Sequence, residues 1–427
     1  MKKYFILILI SLSFFSIALS QSKVESKTIR LDPAMAIGGL ASQIYDSITY
    51  IPLETSKESL FGEIDQLQVT SQYYIIMDYS TDAILFFNRD GSFNHKIHKF
   101  YIEKKVMIKD SRTGRDASIL KSFSVDPSSE KLYIRSGYDI QSVYVIDYKG
   151  NNLGKINLPP NTQDFCFLKD GTKYYKQFRP YKRTSLDGYK SFDVLHQRSS
   201  TINKGNDSSE FLFPINLQYA SLLTEQGWRS TPSFVSIKDN LECFYIPDFN
   251  NNVYLLNNNG IKEIYNFIFP LQYSIPSNFD SDSAFLNKRL EYLKGKSTIT
   301  GLWQFCRLTD NYLIFEIRPY SAINGKNRFC FLYSLKSNNL ILLDNVTPDS
   351  TSSFLSVAPG FSNYFLSFFS SDDNHMYISF PSFQMFQFYD LNKEKHPKYT
   401  PELQKYFTTQ NRKSNPVIVQ LKPKVNL

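Results

Sequence analysis

The amino-acid sequence predicts an all-β protein: a single six-bladed β-propeller of four-stranded antiparallel blades, with one short inserted helix. Three observations carry this expectation. A four-strand unit stands near the start of the chain, it recurs at a regular interval, and aromatic residues are abundant.

The first unit occupies residues 59–98 (SLFGEIDQLQVTSQYYIIMDYSTDAILFFNRDGSFNHKIH). Residues 64–69 carry apolar side chains at 64, 67 and 69. Residues 73–77 and 83–87 are unbroken runs of β-branched, aromatic and other apolar residues, the pattern of strands buried on both faces. Asn88-Arg89-Asp90-Gly91 supplies a tight turn, because glycine takes a positive φ without steric penalty. Residues 93–97 alternate apolar and polar, as an outer strand does. Four antiparallel strands in meander order within about 40 residues make one propeller blade.

The unit recurs. Residues 120–158 give SFSV, KLYIRS, SVYVIDYKG and NNLGKINL, with Gly150 in the place of Gly91. Residues 233–267 repeat the pattern, with Gly260 at the same place. Gly91 and Gly150 lie 59 residues apart, and Gly260 follows 110 later, two intervals of 55. A third unit therefore falls between, at 164–198. Looser units at 302–343 and 364–391 bring the count to six. The ring is expected to close where the N-terminal strand 48–53 meets the C-terminal strand 416–421 in the last blade, which removes the exposed sheet edges.

Composition agrees. Of 427 residues, 16% are aromatic, with 29 Tyr and 36 Phe against only two Trp. Such side chains suit pleated, half-buried surfaces. A chain this long would ordinarily split into two or three domains. Repeated blades share one core, so residues 21–427 are read as a single domain. The formal charge is +8, and it falls by two when Lys2 and Lys3 are removed. That mild excess fits weak attraction to anionic surfaces or glycans rather than a grip on a polyanion.

Residues 1–20 read as a secretory signal. Lys2 and Lys3 form the charged start, residues 4–10 and 12–17 the apolar core, and Ala18-Leu19-Ser20 the small-residue cleavage site before Gln21. Ser11, Ser13 and Ser16 interrupt the apolar core, which favours cleavage over anchoring. No cysteine follows to carry a lipid. No later stretch approaches the roughly 20 apolar residues needed to span a bilayer. The expected product is exported, periplasmic or extracellular, without a transmembrane segment, and monomeric. Export makes nucleic acid a poor partner.

Two runs carry a family likeness. Ile51-Pro52-Leu53-Glu54-Thr55, Leu60-Phe61-Gly62-Glu63-Ile64-Asp65 and the strand and turn at 86–91 resemble the opening of an exported six-bladed β-propeller family. Its members come mostly from Bacteroidetes and are largely uncharacterised. Asn415-Pro416-Val417-Ile418-Val419 is similar to that family's closing strand. Many relatives carry a Gly-Pro-Gly-rich loop after the first blade. Here residues 99–118 hold one glycine and no proline, so that loop's role does not carry over. The resemblance implies a fold, not an activity.

The cysteines are Cys166, Cys243, Cys306 and Cys330. Export permits disulfides, but the strand reading spreads them over three blades. Cys306 and Cys330 fall on the first and third strands of one blade, about 9–10 Å apart, beyond the reach of a bridge. Four buried free thiols are expected. Residues 281–295 break the β pattern. Leu286, Leu290 and Leu293 recur at helical spacing, with N-caps at 280–283 and Gly295 as the stop, which predicts a helix covering a blade edge. Gly295-Lys296-Ser297 imitates a phosphate-binding loop but has Leu290 where that motif needs glycine.

Catalytic motifs are missing. His95, His98, His196, His375 and His396 form no H-x-x-x-H, and there is no G-x-S-x-G. The run Lys173–Arg183 (KYYKQFRPYKR) offers Lys176, Arg179, Lys182 and Arg183 with Tyr174, Tyr175, Phe178 and Tyr181 for an anionic sugar. Strand periodicity splits these residues between two faces, so a solvated strand and loop is the simpler reading. The basic residues Lys104, Lys105, Lys109, Arg112 and Arg115 likewise suit a solvated loop.

Ligands of propellers meet the mouth of the central channel, lined by the first strand of each blade. The candidates there are Glu63, Asp65, Lys121, Asp164, Ser236 and Gln304, with Trp303 for stacking and Arg179 and Tyr181 beside them. No cofactor is required. Glu63, Asp65 and Asp164 could hold Ca²⁺, a hard cation that takes oxygen ligands, or could bond backbone groups that close the ring. Three functions remain open: an exported non-enzymatic module binding a glycan, peptide or protein, a calcium-dependent hydrolase or lyase at the channel, or a structural part of a cell-envelope assembly.

Overall fold

A computed structural model describes residues 24–427 apart from 99, 101–119, 138, 140, 161, 178–190, 199–207, 216–232, 238–239, 248–249, 277–282, 286–287, 295, 324 and 360–369. Six sheets follow one another along the chain. Blade 1 is Gln66–Val69, Tyr73–Asp78, Ala83–Asn88 and Phe93–Ile97; blade 2 is Leu120–Asp126, Lys131–Ser136, Ser142–Asp147 and Asn152–Asn157. Blade 3 is Thr162–Phe167, Lys173–Gln177, Ser191–Arg198 and Ser208–Ile215; blade 4 is Phe234–Ile237, Glu242–Tyr245, Asn252–Asn257 and Gly260–Ile268. Blade 5 is Ile299–Leu308, Tyr312–Pro319, Phe329–Ser334 and Leu340–Thr347. These are antiparallel meanders, as the recurring strand pattern predicts.

Blade 6 is assembled from both ends of the chain. Ser370–Ser371 pairs with Met376–Phe380, which pairs with Val417–Pro423, and Tyr45–Pro52 forms the outer strand. Val419 faces Tyr50 and Ile418 faces Ile51 in that closing register. The expected meeting of 48–53 with 416–421 is therefore present. Gly91, at φ 88° in the blade 1 turn, lies against it: a Cβ there would meet the Pro52 carbonyl oxygen at 2.3 Å.

Among the described residues, hydrophobic side chains gather in seven clusters, six of them at the seams between neighbouring blades. Ile75, Phe86, Phe123 and Ile134 join blades 1 and 2, and Val143, Leu158, Phe165 and Tyr175 join blades 2 and 3. Cys166, Tyr174, Cys243 and Tyr245 lie between blades 3 and 4. Larger clusters fill the seams from blade 4 to 5 and from 5 to 6. Leu67, Tyr74, Tyr377 and Ile418 then join blade 6 to blade 1. A seam on each side of every blade is what a closed ring requires. All four cysteines are buried and free, as expected.

Three features depart from the sequence reading. First, the N-terminal segment adds two more strands. Glu25–Arg30 runs parallel to the outer strand of blade 4, and Ile37–Leu40 runs parallel to that of blade 5. Gly38 lets this strap lie close, because a Cβ there would meet the Asn345 carbonyl oxygen at 2.3 Å.

Second, residues 385–391, expected to be a strand of blade 6, belong to a helix, Ser382–Asn392. A second helix, Pro401–Thr409, follows; Thr400 caps it by accepting from Leu403 N, and proline sits at its start. The inserted helix is thus not the only one. Met385, Leu403 and Tyr406 pack into the blade 5–6 cluster, so tertiary burial decides the conformation of an aromatic run that fits either state.

Third, the predicted helix 281–295 is shorter where described. It comprises a 3-10 turn at Ser283–Phe285 and a helix at Arg289–Lys294. Leu293 is its buried anchor, packed with Ile275 and Tyr320.

Candidate functional site

In a four-stranded meander the connections alternate between the two faces of the ring. Among the described residues, one face holds the first-to-second turns 70–72, 127–130, 168–172, 309–311 and 372–375, and the third-to-outer turns 89–92, 148–151, 258–259 and 335–339, all five residues or fewer. The opposite face, where inner strands begin, receives longer described connections, among them 269–276, 348–359 and 381–416. Long connections set on a rigid scaffold are where binding groups concentrate. We call this the entry face.

Bulges mark the entry end of three inner strands. In blade 2, Leu120 pairs with Ser136 and Ser122 with Arg135, leaving Lys121 as the extra residue. In blade 3, Thr162 pairs with Gln177 and Asp164 with Lys176, leaving Gln163. In blade 5, Leu302 pairs with Ile317 and Gln304 with Glu316, leaving Trp303. A bulge re-aims the side chain it carries and occurs often beside binding sites.

At the blade 1–2 seam, Gln66 and the backbone of Phe123 exchange two hydrogen bonds, of 2.6 and 3.0 Å. Asp78 is fully buried and organises the loop before the inner strand. It accepts from the backbone of Gly62 and Glu63 and from the hydroxyls of Ser80 and Thr81.

Tyr79 bridges the two blades. Its N–H donates to Asp65 Oδ2 at 2.6 Å, and its hydroxyl donates to the Lys121 carbonyl at 2.7 Å. Tyr79 as a whole is 40% exposed. Burial pushes the Asp65 carboxyl up to about 7; the Tyr79 N–H opposes the shift, while Asp78 and Glu63 add to it. Glu63 is exposed.

The neighbouring quarter of the mouth is cationic. Lys121 is exposed; partial burial lowers its pKa and the Arg135 guanidinium lowers it further, against the pull of Asp164. Arg135 is 4% exposed and donates across the blade 2–3 seam to the carbonyls of Thr162 (2.6 Å) and Gln163. Its buried Nε has no partner.

Asp164 does not open toward an ion. Its Oδ1 accepts from Phe165 N at 2.9 Å, and its Oδ2 accepts from Ser233 N and Phe234 N at 2.7 and 3.3 Å. Burial raises its pKa against these bonds and against Arg135 and Lys176. It ties blade 3 to blade 4, helped by Lys176 Nζ donating to Ser233 Oγ at 2.9 Å. Ser236 lies in the same seam, 3.5 Å from Cys166 Sγ.

In blade 5, Trp303 is half-buried with the Arg318 guanidinium over its ring at 4.1 Å. Arg318 pairs with Glu316, a fully buried carboxylate that Arg328 also faces at 3.5 Å. Gln304 is buried beside Glu316 in register.

The structure thus brings Glu63 and Asp65 together, and Lys121 with Asp164, while Trp303 and Gln304 stand in a separate blade. Arg179 and Tyr181 lie outside the described residues. So do residues 182–183 of that basic run; Tyr174, Tyr175 and Lys176 are buried rather than displayed. Among the described residues no three His, Cys, Asp or Glu side chains gather to hold a metal ion. His95 is structural: it stacks on Phe86 at 4.3 Å, and its Nε2 lies 2.7 Å from the Tyr148 carbonyl.

Sequence reasoning missed Arg135, Tyr79 and Gln163. Only Asp78-Tyr79-Ser80-Thr81 carried a readable signal, an aspartate followed by hydroxyl residues that its carboxylate can bond.

Comparison with known proteins agrees with the fold. Residues 20–100 match the family described as DUF5128, 6-bladed beta-propeller, which bears out the likeness read from residues 51–65 and 86–91. No curated protein matches the sequence. Among solved structures, the chain is similar to a Bacteroides fragilis NCTC 9343 protein described only as exported. The identity is 16%, the TM-score 0.62, and the match covers 93% of this chain and 100% of that one.

A member of the DUF4221 family from Bacteroides vulgatus aligns at 11% identity and TM-score 0.46, over 89% and 97% of the two chains. The periplasmic gluconolactonase of Pseudomonas aeruginosa aligns at 12% and 0.32, over 66% and 69%. At these identities the likeness is one of fold: the chain is a β-propeller, similar over residues 20–100 to the six-bladed family and over most of its length to an exported Bacteroides protein.

Proposed function

We propose that this chain is an exported, non-enzymatic recognition module that binds a glycan, peptide or protein on its entry face. The observation that supports this most is the asymmetry of the ring. Among the described residues, one face carries short turns, while the other carries the longer connections 348–359 and 381–416 and three bulged positions, Lys121, Gln163 and Trp303. The apolar signal at residues 1–20 supports export, and among the described residues no helix is long and apolar enough to cross a membrane.

The test compares three mature proteins on immobilised dextran, xylan, polygalacturonate and poly-glutamate. They are the wild type, Trp303→Ala on the entry face, and Lys149→Ala in a turn of the opposite face. At least one probe should bind, about tenfold more weakly to Trp303→Ala and unchanged with Lys149→Ala. Equal binding by all three proteins, or loss with Lys149→Ala alone, overturns the reading. Export is checked by the N-terminal mass of the processed protein, expected to begin near Gln21.

A further inference from the structure

We infer that Cys166 and Cys243 are a disulfide-forming pair, joined by oxidation into a covalent tie between blades 3 and 4. This rests on the export proposed above, because thiols stay reduced in reducing compartments and pair in oxidising ones. Strand alternation and sheet register bring the two together. Asp164 and Cys166 lie two apart on the inner strand of blade 3, so both point at blade 4, while Phe165 between them packs toward blade 2. Asp164 accepts from Ser233 N and Phe234 N, which sets the inner strands of the two blades side by side. Further along, Cys166 Sγ lies 3.5 Å from Ser236 Oγ, and Ser236 stands directly opposite Cys243 in the blade 4 register. The Cys243 thiol hydrogen-bonds the Cys166 sulfur, and both belong to one buried cluster. Thiols in such contact need to move only about 1–2 Å to reach the S–S bond length of roughly 2.05 Å.

The seam between blades 5 and 6 supplies the contrast. Cys306 occupies the matching place on its inner strand and hydrogen-bonds Ser371 of the next inner strand. Ser371 stands opposite Met376, so methionine holds the place that Cys243 holds in blade 4. Cys330 lies opposite Glu316 on the third strand of the blade that carries Cys306, with the second strand between them. The chain thus holds one pair of thiols in contact and two that the sheet keeps apart.

Burial pushes the Cys243 thiol well up, and its bond to Cys166 adds to the shift. Exchange needs a thiolate, so the bridge forms as the exported chain folds, before the seam is packed. One thiolate of the pair attacks a disulfide donor, oxidised glutathione or an oxidised dithiol oxidoreductase, and releases one donor thiolate. The second protein thiol loses its proton and attacks the mixed disulfide, releasing the other. The protein gives up two electrons and two protons, and the donor takes them up as two thiols. The two cysteines lie 77 residues apart, a loop long enough for the tie to restrict the unfolded chain strongly.

Refolding the reduced, denatured mature protein in a buffer of reduced and oxidised glutathione tests this. Remaining thiols are then alkylated in denaturant and located by peptide mass. Two alkyl groups are expected, on Cys306 and Cys330, with one linked peptide pair that contains Cys166 and Cys243. Cys306→Ala should keep that link, while Cys166→Ala and Cys243→Ala should each lose it. The bridged protein should melt several degrees above the same protein in dithiothreitol, a difference absent from Cys166→Ala.

Four alkylated cysteines in the refolded wild type overturn the inference. So do links that involve Cys306 or Cys330 as often as the expected pair. A bridge that fails to raise the melting temperature overturns it as well, since the seam would not be built for the tie. Protein recovered from cells separates this inference from export. Four free thiols in a chain processed near Gln21 remove the pair and leave export standing. A chain that begins at Met1 and bridges on refolding removes export and keeps the pair.

Discussion

The seam between blades 5 and 6 and the seam between blades 2 and 3 are built from the same kind of strand, yet they are held by different groups. The blade 5–6 seam draws on elements outside the repeat: Ala41 and Ile44 from the N-terminal segment, and Met385, Leu403 and Tyr406 from the helices. Among the described residues of the blade 2–3 seam, Val143, Leu158, Phe165 and Tyr175 are joined by a polar bridge, the buried Arg135 guanidinium on the carbonyls of Thr162 and Gln163. One seam recruits apolar side chains from outside the blades, and the other spans its blades with a buried charge.

The largest test of this contrast is a pair of truncations. Phe380→Ala, in the blade 5–6 seam where its fully buried ring lies 5.4 Å from Phe388, should cost about 3–5 kcal/mol in urea unfolding. Phe165→Ala, in the blade 2–3 seam and 9% exposed, should fall at or below about 3 kcal/mol, because solvent already reaches its ring. Equal losses would break the comparison.

Next in size is Arg135→Ala, which leaves the Thr162 and Gln163 carbonyls without their donor, at about 1–3 kcal/mol. A neutral outcome would mean that the seam does not depend on it. Gly91→Ala sharpens the closing seam: a positive φ and a Cβ pressed on the Pro52 carbonyl should cost more than about 1 kcal/mol, read as a lower midpoint with unchanged slope.

The smallest effect is a pH dependence. Asp65 has its folded pKa raised to about 7 by burial, so the folded state binds that proton more tightly than the unfolded chain. Its contribution to stability is full below about pH 4 and is lost as pH rises through 7. Asp65→Asn should therefore gain in melting temperature relative to wild type between pH 5 and 8. A constant difference across that range would refute the assignment. Asp349, held down to about 2 once its bonds to Ser42 and Thr351 outweigh desolvation, acts oppositely. Its contribution is present above the unfolded pKa and lost in acid.

The regular blades were legible because their information is local. Alternation sets the faces, and Gly91, Gly150 and Gly260 set the turns at φ 88°, 86° and 101°. The strap at 25–40 was not legible, since a strand that pairs with a partner over two hundred residues away leaves no local mark. Residues 385–391 were misread because Phe, Met and Tyr suit either a strand or a buried helix face; the cap Thr400-Pro401 was a readable warning of helix nearby. Of the candidate site, Asp65 and Lys121 were found as inner-strand polar residues. Arg135 was not, because its role comes from reaching a neighbouring blade. Asp164 was found with two alternatives, a Ca²⁺ ligand or a bond to backbone groups that close the ring, and its carboxylate takes the second, accepting from Phe165, Ser233 and Phe234 N–H.

The closing strand has a consequence for how the chain comes to be folded at all. Tyr45–Pro52 is made more than three hundred residues ahead of its partner Val417–Pro423. Pairings of such long range make folding slow, because loop closure must precede any reward. For a chain that is exported as proposed, that delay is useful. The ring cannot complete ahead of Val417–Pro423, so the polypeptide stays threadable until that strand has been delivered.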